Sequence, residues 1–135
     1  TTRPLGIRRR DRIEIRFVTG ADFEQRTLIT IAEVPQGGVA HLMCGDACSV
    51  LDATQQACRM AAEGLGGAEM QGLLLFDCVA RRSVLQEEWL HREIACIDAA
   101  RNGMPVGGFY TYGEIARTQG AGGFHNQTLV ALAVA

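Results

Sequence analysis

From Arg12 to Val18 polar and apolar residues alternate, with Arg12, Glu14, Arg16 and Val18 on one side and Ile13, Ile15 and Phe17 on the other. Successive side chains of a strand point to opposite faces, so this period of two predicts a half-buried strand with the isoleucines and Phe17 inward. A polar turn through Gly20, Ala21 and Asp22 follows. Residues 26–33 then repeat the pattern, Leu28 being opposed to Ile29 and Ile31. The turn Pro35-Gln36-Gly37-Gly38 leads into a third short strand at 39–44. Three strands with short connections predict an antiparallel meander.

The period then lengthens. Val50, Leu51, Thr54, Ala57, Cys58, Ala61 and Leu65 recur at helical spacing behind Asp46, a residue suited to accept a hydrogen bond from the first turn. Gly64 and Gly66-Gly67 supply the stop. Residues 72–78 are almost wholly apolar, which fits a strand covered on both faces and is too short for a core helix. Ser83-Val84-Leu85-Gln86 has the form of a capping box, and Leu90, Ile94 and Ile97 continue as a stripe beside Trp89. Asn102-Gly103 and Pro105 end that helix. Phe76, Trp89 and Phe109 are assigned to the core.

The last quarter of the chain holds most of the chemistry. Residues 107–115, Gly-Gly-Phe-Tyr-Thr-Tyr-Gly-Glu-Ile, and 124–132, Phe-His-Asn-Gln-Thr-Leu-Val-Ala-Leu, both read as strands, joined through a glycine-rich loop at 117–123. In an extended first strand Tyr110, Tyr112 and Glu114 share one face while Phe109, Thr111, Gly113 and Ile115 share the other. The resulting element order is β-β-β-α-β-α-β-β. It predicts one α+β domain over residues 1–135, with two principal helices on a mainly antiparallel sheet.

Glu114 between tyrosines suits a ligand amino group, through a charge-assisted hydrogen bond, as well as an ordinary salt bridge. Arg81, just past the apolar strand, has the fork geometry to grip a carboxylate, so that Arg81 and Glu114 together would suit a zwitterion such as an amino acid; helix-entry solvation is the other reading. Tyr110 and Tyr112 suit pocket walls with hydroxyls at their tips. His125 and Asn126 fall on opposite faces of a regular strand, so both reach one pocket only through a bulge; the alternative role of Asn126 or Thr128 is to tie the hairpin together through backbone bonds. Cys78, with His125 and Glu114, has the residue types of a cysteine hydrolase, but its apolar surroundings predict an inert thiol. His41, Cys44 and Cys48 are metal-binding types without the second close pair that zinc sites use. No metal or cofactor is expected.

The runs Gly-Phe-Tyr-Thr-Tyr-Gly-Glu-Ile at 108–115 and Phe-His-Asn-Gln-Thr-Leu at 124–129, with Phe-Asp-Cys-Val-Ala-Arg at 76–81, resemble the signature of the FIST C domain. This is the C-terminal half of the F-box and intracellular signal transduction sensor module. Ala80 stands where the family usually has glycine, and Ala116-Arg117 where glycine-proline is common. The resemblance implies a small-ligand sensor, with an amino acid as one ligand class, preceded by an upstream FIST N-type domain and followed by a signalling output partner. The expected ligand-binding set, read from residue type and position and strengthened at Glu114 by the resemblance, is Cys78, Arg81, Tyr110, Tyr112, Glu114, His125, Asn126 and Thr128. A protein-interaction module without a small ligand is the alternative.

Composition narrows the setting. At 135 residues the chain is long enough to bury one core, and it begins without methionine, which suggests a domain cut from a longer protein. No run approaches the roughly 18 apolar residues of a membrane span, and no apolar signal region opens the chain. Five cysteines, an odd number, favour free thiols in a reducing cytoplasm. A net charge of −2 speaks against a nucleic-acid partner. Arg3, Arg8, Arg9, Arg10, Arg12 and Arg16 crowd the start, but Asp11 and Glu14 interrupt them, as a solvated edge or a contact with an upstream domain would.

Overall fold

The computed structural model describes residues 2–9, 12–118 and 121–135. Arg10 and Asp11 of the arginine-rich start, and Gln119 and Gly120 in the loop of the last hairpin, lie outside the described residues.

Strand β1 (Leu5–Arg9) lies between β2 (Arg12–Arg16) and β5 (Ala40–Leu42), antiparallel to both. Between them in sequence, β3 (Val18–Asp22) and β4 (Thr27–Thr30) form a hairpin. Its turn is held by Asp22, whose Oδ1 accepts the backbone N–H groups of Glu24 and Gln25 at 2.9 Å. Helix α1 (Ala47–Glu63) begins as its sequence predicts. Asp46 accepts from the Ser49 backbone N–H, Ser49 accepts from the Asp46 N–H, and Gly64 closes the other end. That backbone bond holds the Asp46 carboxyl below its usual range.

Strand β6 (Gly72–Cys78), helix α2 (Val79–Ala100) and β7 (Val106–Thr111) make a parallel crossover unit, and β10 (Leu129–Val134) pairs antiparallel on the other edge of β6. Alternate residues of this sheet, Leu73 and Leu75 with Leu129, Ala131 and Ala133, pack against Cys58, Ala61 and Ile97 of the helices. Val50, Val84 and Leu85 form a second cluster, with Leu51, Trp89 and Leu90 around it. Hairpin β8 (Glu114–Thr118) and β9 (Ala121–His125) joins β7 to β10.

The fold is α+β and follows the expected succession of strands, helix, strand, helix and strands. It also revises several local readings. Among the described residues five strands, not three, precede α1: residues 5–9 of the arginine-rich start form β1, and the supposed turn at Gly20 to Asp22 is part of β3. In β2 the inward face is the polar one. Glu14 and Arg16 are buried while Ile13 is exposed. Arg16 resolves this by pairing with Glu14 at 2.8 Å and donating to the carbonyls of Glu33 at 2.9 Å and Phe124 at 3.3 Å, so the buried charge is met on every side. Helix α2 starts at Val79, ahead of Ser83, whose hydroxyl donates to the Ala80 carbonyl at 2.8 Å; Gln86, at φ 54 and ψ 179, interrupts the helix instead of capping it. Phe109 is 64 % exposed, touching Phe76 edge-on at 5.3 Å on the sheet face that the helices leave open.

Candidate functional site

Five chain segments end at one corner of the sheet. The register sets Cys78 beside Thr111 on β6 and β7, and Asp77 beside Leu129 on β10. Between β7 and β8 the chain bends at Tyr112-Gly113, so the long strand expected over 107–115 is broken in two. Only glycine fits at this bend, because an added Cβ at Gly113 would lie 2.1 Å from the Phe124 ring. The consequence of the bend is that Thr111 and Glu114, on opposite faces of a regular strand, come into contact.

Glu114 is 2 % exposed. Its Oε1 lies 2.5 Å from the Thr111 hydroxyl and its Oε2 accepts from the Thr128 hydroxyl at 2.9 Å. Both carboxylate oxygens are therefore acceptors, and no cation pairs with Glu114 among the described residues. His125 faces Glu114 across the β8–β9 pair. Beyond it the second long strand also breaks, at residues 126–128, with Gln127 in the left-handed region at φ 54. At that break the polar atoms of three consecutive residues, His125 Nε2, both ends of the Asn126 amide and Gln127 Oε1, are shut off from solvent.

Asn126 is 0 % exposed, yet neither its Oδ1 nor its Nδ2 has a hydrogen-bond partner. The same is true of His125 Nε2 and Gln127 Oε1, while Gln127 Nε2 donates to the Thr2 hydroxyl at 2.6 Å. Thr2 in turn lines a cavity of about 300 Å³ with Arg3, Pro4, Phe17 and Val18. Cys78 sits under the cluster, its backbone N–H donating to the Thr128 carbonyl at 3.1 Å. Burial pushes its thiol up; the Ala80 and Gln127 backbone groups pull the other way, and the facing Glu114 raises it further. A thiol held in its neutral form is a poor nucleophile.

Arg81 occupies a different part of the interior from the one the sequence suggests. It is 1 % exposed, and its guanidinium pairs with Asp77 and, at 2.7 Å, with Glu93. It also donates to the Thr54 hydroxyl at 2.6 Å and the Val50 carbonyl at 3.2 Å, fastening α2 to α1. Tyr110 and Tyr112 point outward, Tyr112 being 79 % exposed. Tyr110 stacks under the Arg82 guanidinium at 5.3 Å and lines, with Asp77, Glu93, Leu90 and Ile94, an open cleft of about 570 Å³ between α2 and β7. The structure thus brings Cys78, Glu114, Asn126 and Thr128 together with the His125 edge, and sets Arg81 and the tyrosines apart from them.

Sequence reasoning missed Thr111, Gln127, Asp77, Glu93 and Thr54. The last three follow only from tertiary contact with Arg81. Thr111 is hidden by the assumption of a regular strand, although a glycine between Tyr112 and Glu114 hints at the bend. Among the described residues no three His, Cys, Asp or Glu side chains converge as a metal cage; Cys44 and Cys48 are both exposed.

Asp77 makes the Arg81 network sensitive to pH. Burial pushes its carboxyl up to about 6 despite the opposing pull of Arg81. The folded pKa lies above the unfolded one, so the associated stability is complete below about pH 4 and is lost as pH rises through about 6. Melting temperatures of wild type and Asp77→Asn measured across this range should diverge, the wild type falling by a few degrees relative to the variant. Parallel curves would show that Asp77 titrates as it does in the unfolded chain.

Set against known families, the sequence matches a model described as the FIST C domain over residues 1–117. The chain belongs to the FIST C domain family. The matched stretch of this FIST C domain carries Cys78, Arg81, Thr111 and Glu114, and the 125–128 segment lies beyond it. The family is of the signal-transduction sensor type. No curated protein and no solved structure matches the chain. Among the described residues of this FIST C domain no helix is long and apolar enough to cross a membrane.

Proposed function

We propose that this FIST C domain binds a small polar molecule at the Glu114–Asn126 corner and is the ligand-reading part of a sensor, passing occupancy to an output partner. One observation carries the reading: the Asn126 carboxamide is fully buried with both of its polar atoms unpaired. A buried polar group left without a partner costs about 1–3 kcal/mol, so folds keep such groups where something else completes them. His125 Nε2 and Gln127 Oε1 beside it have the same need. The reading is one of binding, and the upward push of burial on the Cys78 thiol supports it against a cysteine nucleophile. Five free cysteines support a reducing, cytoplasmic setting, and an upstream FIST N-type domain is the natural neighbour.

A thermal-shift screen against amino acids and other small polar molecules tests the proposal. A ligand at about a hundred times its dissociation constant adds roughly 2.7 kcal/mol, which moves the midpoint by several degrees in a domain of this size. The shift should vanish in Glu114→Gln, which keeps the shape of the site and removes its charge. A flat panel on folded protein would turn attention to the second reading, an interaction module. Leu74, Phe109, Leu132 and Val134 favour that reading, because they leave the open face of the β10-β6-β7 sheet apolar and exposed.

A further inference from the structure

The sheet β10-β6-β7 ends at β7, whose outer edge pairs with no strand among the described residues. The opposite edge strand, β10, is half-buried for most of its length, whereas β7 is exposed at every position from Val106 to Tyr110. Edge strands ordinarily carry a charge, a proline or a bulge that keeps another strand from adding. Residues 106–111, Val-Gly-Gly-Phe-Tyr-Thr, have none of these. The direction of the free polar groups follows from the inner edge. Leu73 lies beside Val106, and its N–H donates to the Pro105 carbonyl at 3.0 Å. Strand backbone groups alternate in direction, so Gly107 and Phe109 turn theirs to β6 while Val106, Gly108 and Tyr110 turn theirs away.

We infer that the domain associates with a second copy of itself through this edge, β7 against β7 and antiparallel, about a two-fold axis at Gly108. In the hydrogen-bonded pairs of an antiparallel ladder, both residues exchange N–H and C=O. Only one register within the strand pairs every outward group: Val106 with Tyr110, Gly108 with Gly108, and Tyr110 with Val106. The side chains complement one another in that register. Phe109 comes opposite Gly107 on the open face, a large ring over a residue without a side chain, which is how aromatic residues stabilise glycine on sheet edges. On the other face Val106 and Tyr110 line, with Ile94 of α2, the cleft of about 570 Å³. There Tyr110 of the second copy lies beside Val106 and covers the mouth of the cleft. Val106, Phe109, Tyr110 and Ile94 are each two-fifths to two-thirds exposed. With the strand backbone they offer roughly 500–600 Å² per copy, the low end for a specific interface, so the dimer is reversible, with a dissociation constant on the order of micromolar. A two-fold contact uses up both edges and closes, leaving one sheet of six strands, β10-β6-β7-β7-β6-β10. It stands whether or not the Glu114–Asn126 corner holds a ligand.

Sedimentation velocity of the domain over about 1–500 µM tests the pairing, the average mass being expected to rise roughly twofold across that range. Hydrogen exchange reads the register. The amides of Val106, Gly108 and Tyr110 should gain protection roughly tenfold or more with concentration, while those of Gly107 and Phe109, already turned to β6, should change little. Val106→Pro removes an outward N–H and leaves the β6 ladder intact. Gly107→Glu sets bulk and charge under Phe109 of the second copy, where the free domain has room, an added Cβ meeting only the end of Leu74 at 3.7 Å. Each should weaken association roughly tenfold or more with circular dichroism unchanged, and either alone decides if the other fails to fold. Leu132→Lys, on the open face of the far strand β10, should leave association in place. A monomer throughout the range would overturn the pairing. So would association lost in Leu132→Lys but kept in Val106→Pro and Gly107→Glu, which would put the contact on the open face.

Discussion

Arg81→Met is expected to lose about 3–5 kcal/mol of stability, the usual effect of removing one member of a buried ion network. A small domain holds only about 5–15 kcal/mol in total, so the variant should be partly unfolded at ambient temperature or show a sharply lower urea midpoint. The cause is less the lost attraction than what remains. Asp77 and Glu93 would keep their buried carboxylates without a cation, next to Thr54, which can donate only one hydrogen bond. Two features distinguish this account from simple loss of packing. The damage should shrink toward acidic pH, where the carboxylates take up protons, and Glu93→Gln added to Arg81→Met should restore part of the loss, because it removes an orphaned charge. A drop below about 1 kcal/mol, or one that ignores pH, would mean that water or rearrangement answers these charges.

Gly108→Ala should come next in severity. On β7 this glycine lies directly against Leu75 of β6, and an added Cβ would sit 2.1 Å from the Leu75 carbonyl oxygen and 3.0 Å from its carbonyl carbon. Both are backbone atoms in the central strand, which cannot step aside without disturbing the pairing with β10. Overpacking ordinarily costs about 1–3 kcal/mol; contact with backbone puts this case at the upper end or beyond. The neighbouring Gly107 provides the control. Its Cβ would meet only the end of the Leu74 side chain at 3.7 Å, so Gly107→Ala should be tolerated. Thermal melts compare the two, and hydrogen exchange should show β7 amides losing protection in Gly108→Ala alone. Equal melting temperatures would show that β7 shifts freely along its neighbour. Because Thr111 ends β7, a displaced strand should also weaken ligand response at Glu114.

The α1 helix was legible in its start and face, since the Asp46 cap and the apolar spacing are local signals; its end comes at Glu63, so Leu65, read as its last apolar position, lies outside it. The β6 strand was legible in place and bounds, but its continuous apolar run was read as a strand covered on both faces, whereas helices cover one face and Leu74 on the other is exposed. Strand β2 shows where pattern reasoning fails. Alternation located a strand but chose the wrong face, because it treats charge as a mark of solvent. Arg16 and Glu14 escape that rule by pairing with each other and with distant carbonyls, which no local window contains. The candidate site divides the same way. Glu114, Asn126, Thr128 and Cys78 stood out by residue type and by family motif. Their convergence depends on the bends at Tyr112-Gly113 and Gln127, and those reflect the Phe124 ring and a left-handed backbone. Arg81 was singled out for a ligand, and its partners Glu93 and Thr54 lie on helical faces whose contact only the fold reveals.

Two bonds described above join the opposite ends of the chain: Gln127 to Thr2, and Arg16 to the Phe124 carbonyl, across separations of 125 and 108 residues. Contacts this remote are entropically expensive to close early, so chains that depend on them fold slowly and assemble their local units first. Here the crossover unit of β6, α2 and β7 contains its own core, whereas the corner holding Asn126 needs the first strands in place. The candidate corner is therefore among the last parts of the domain to form, since residues 124–128 must be made and must meet residues 2 and 16 before it exists.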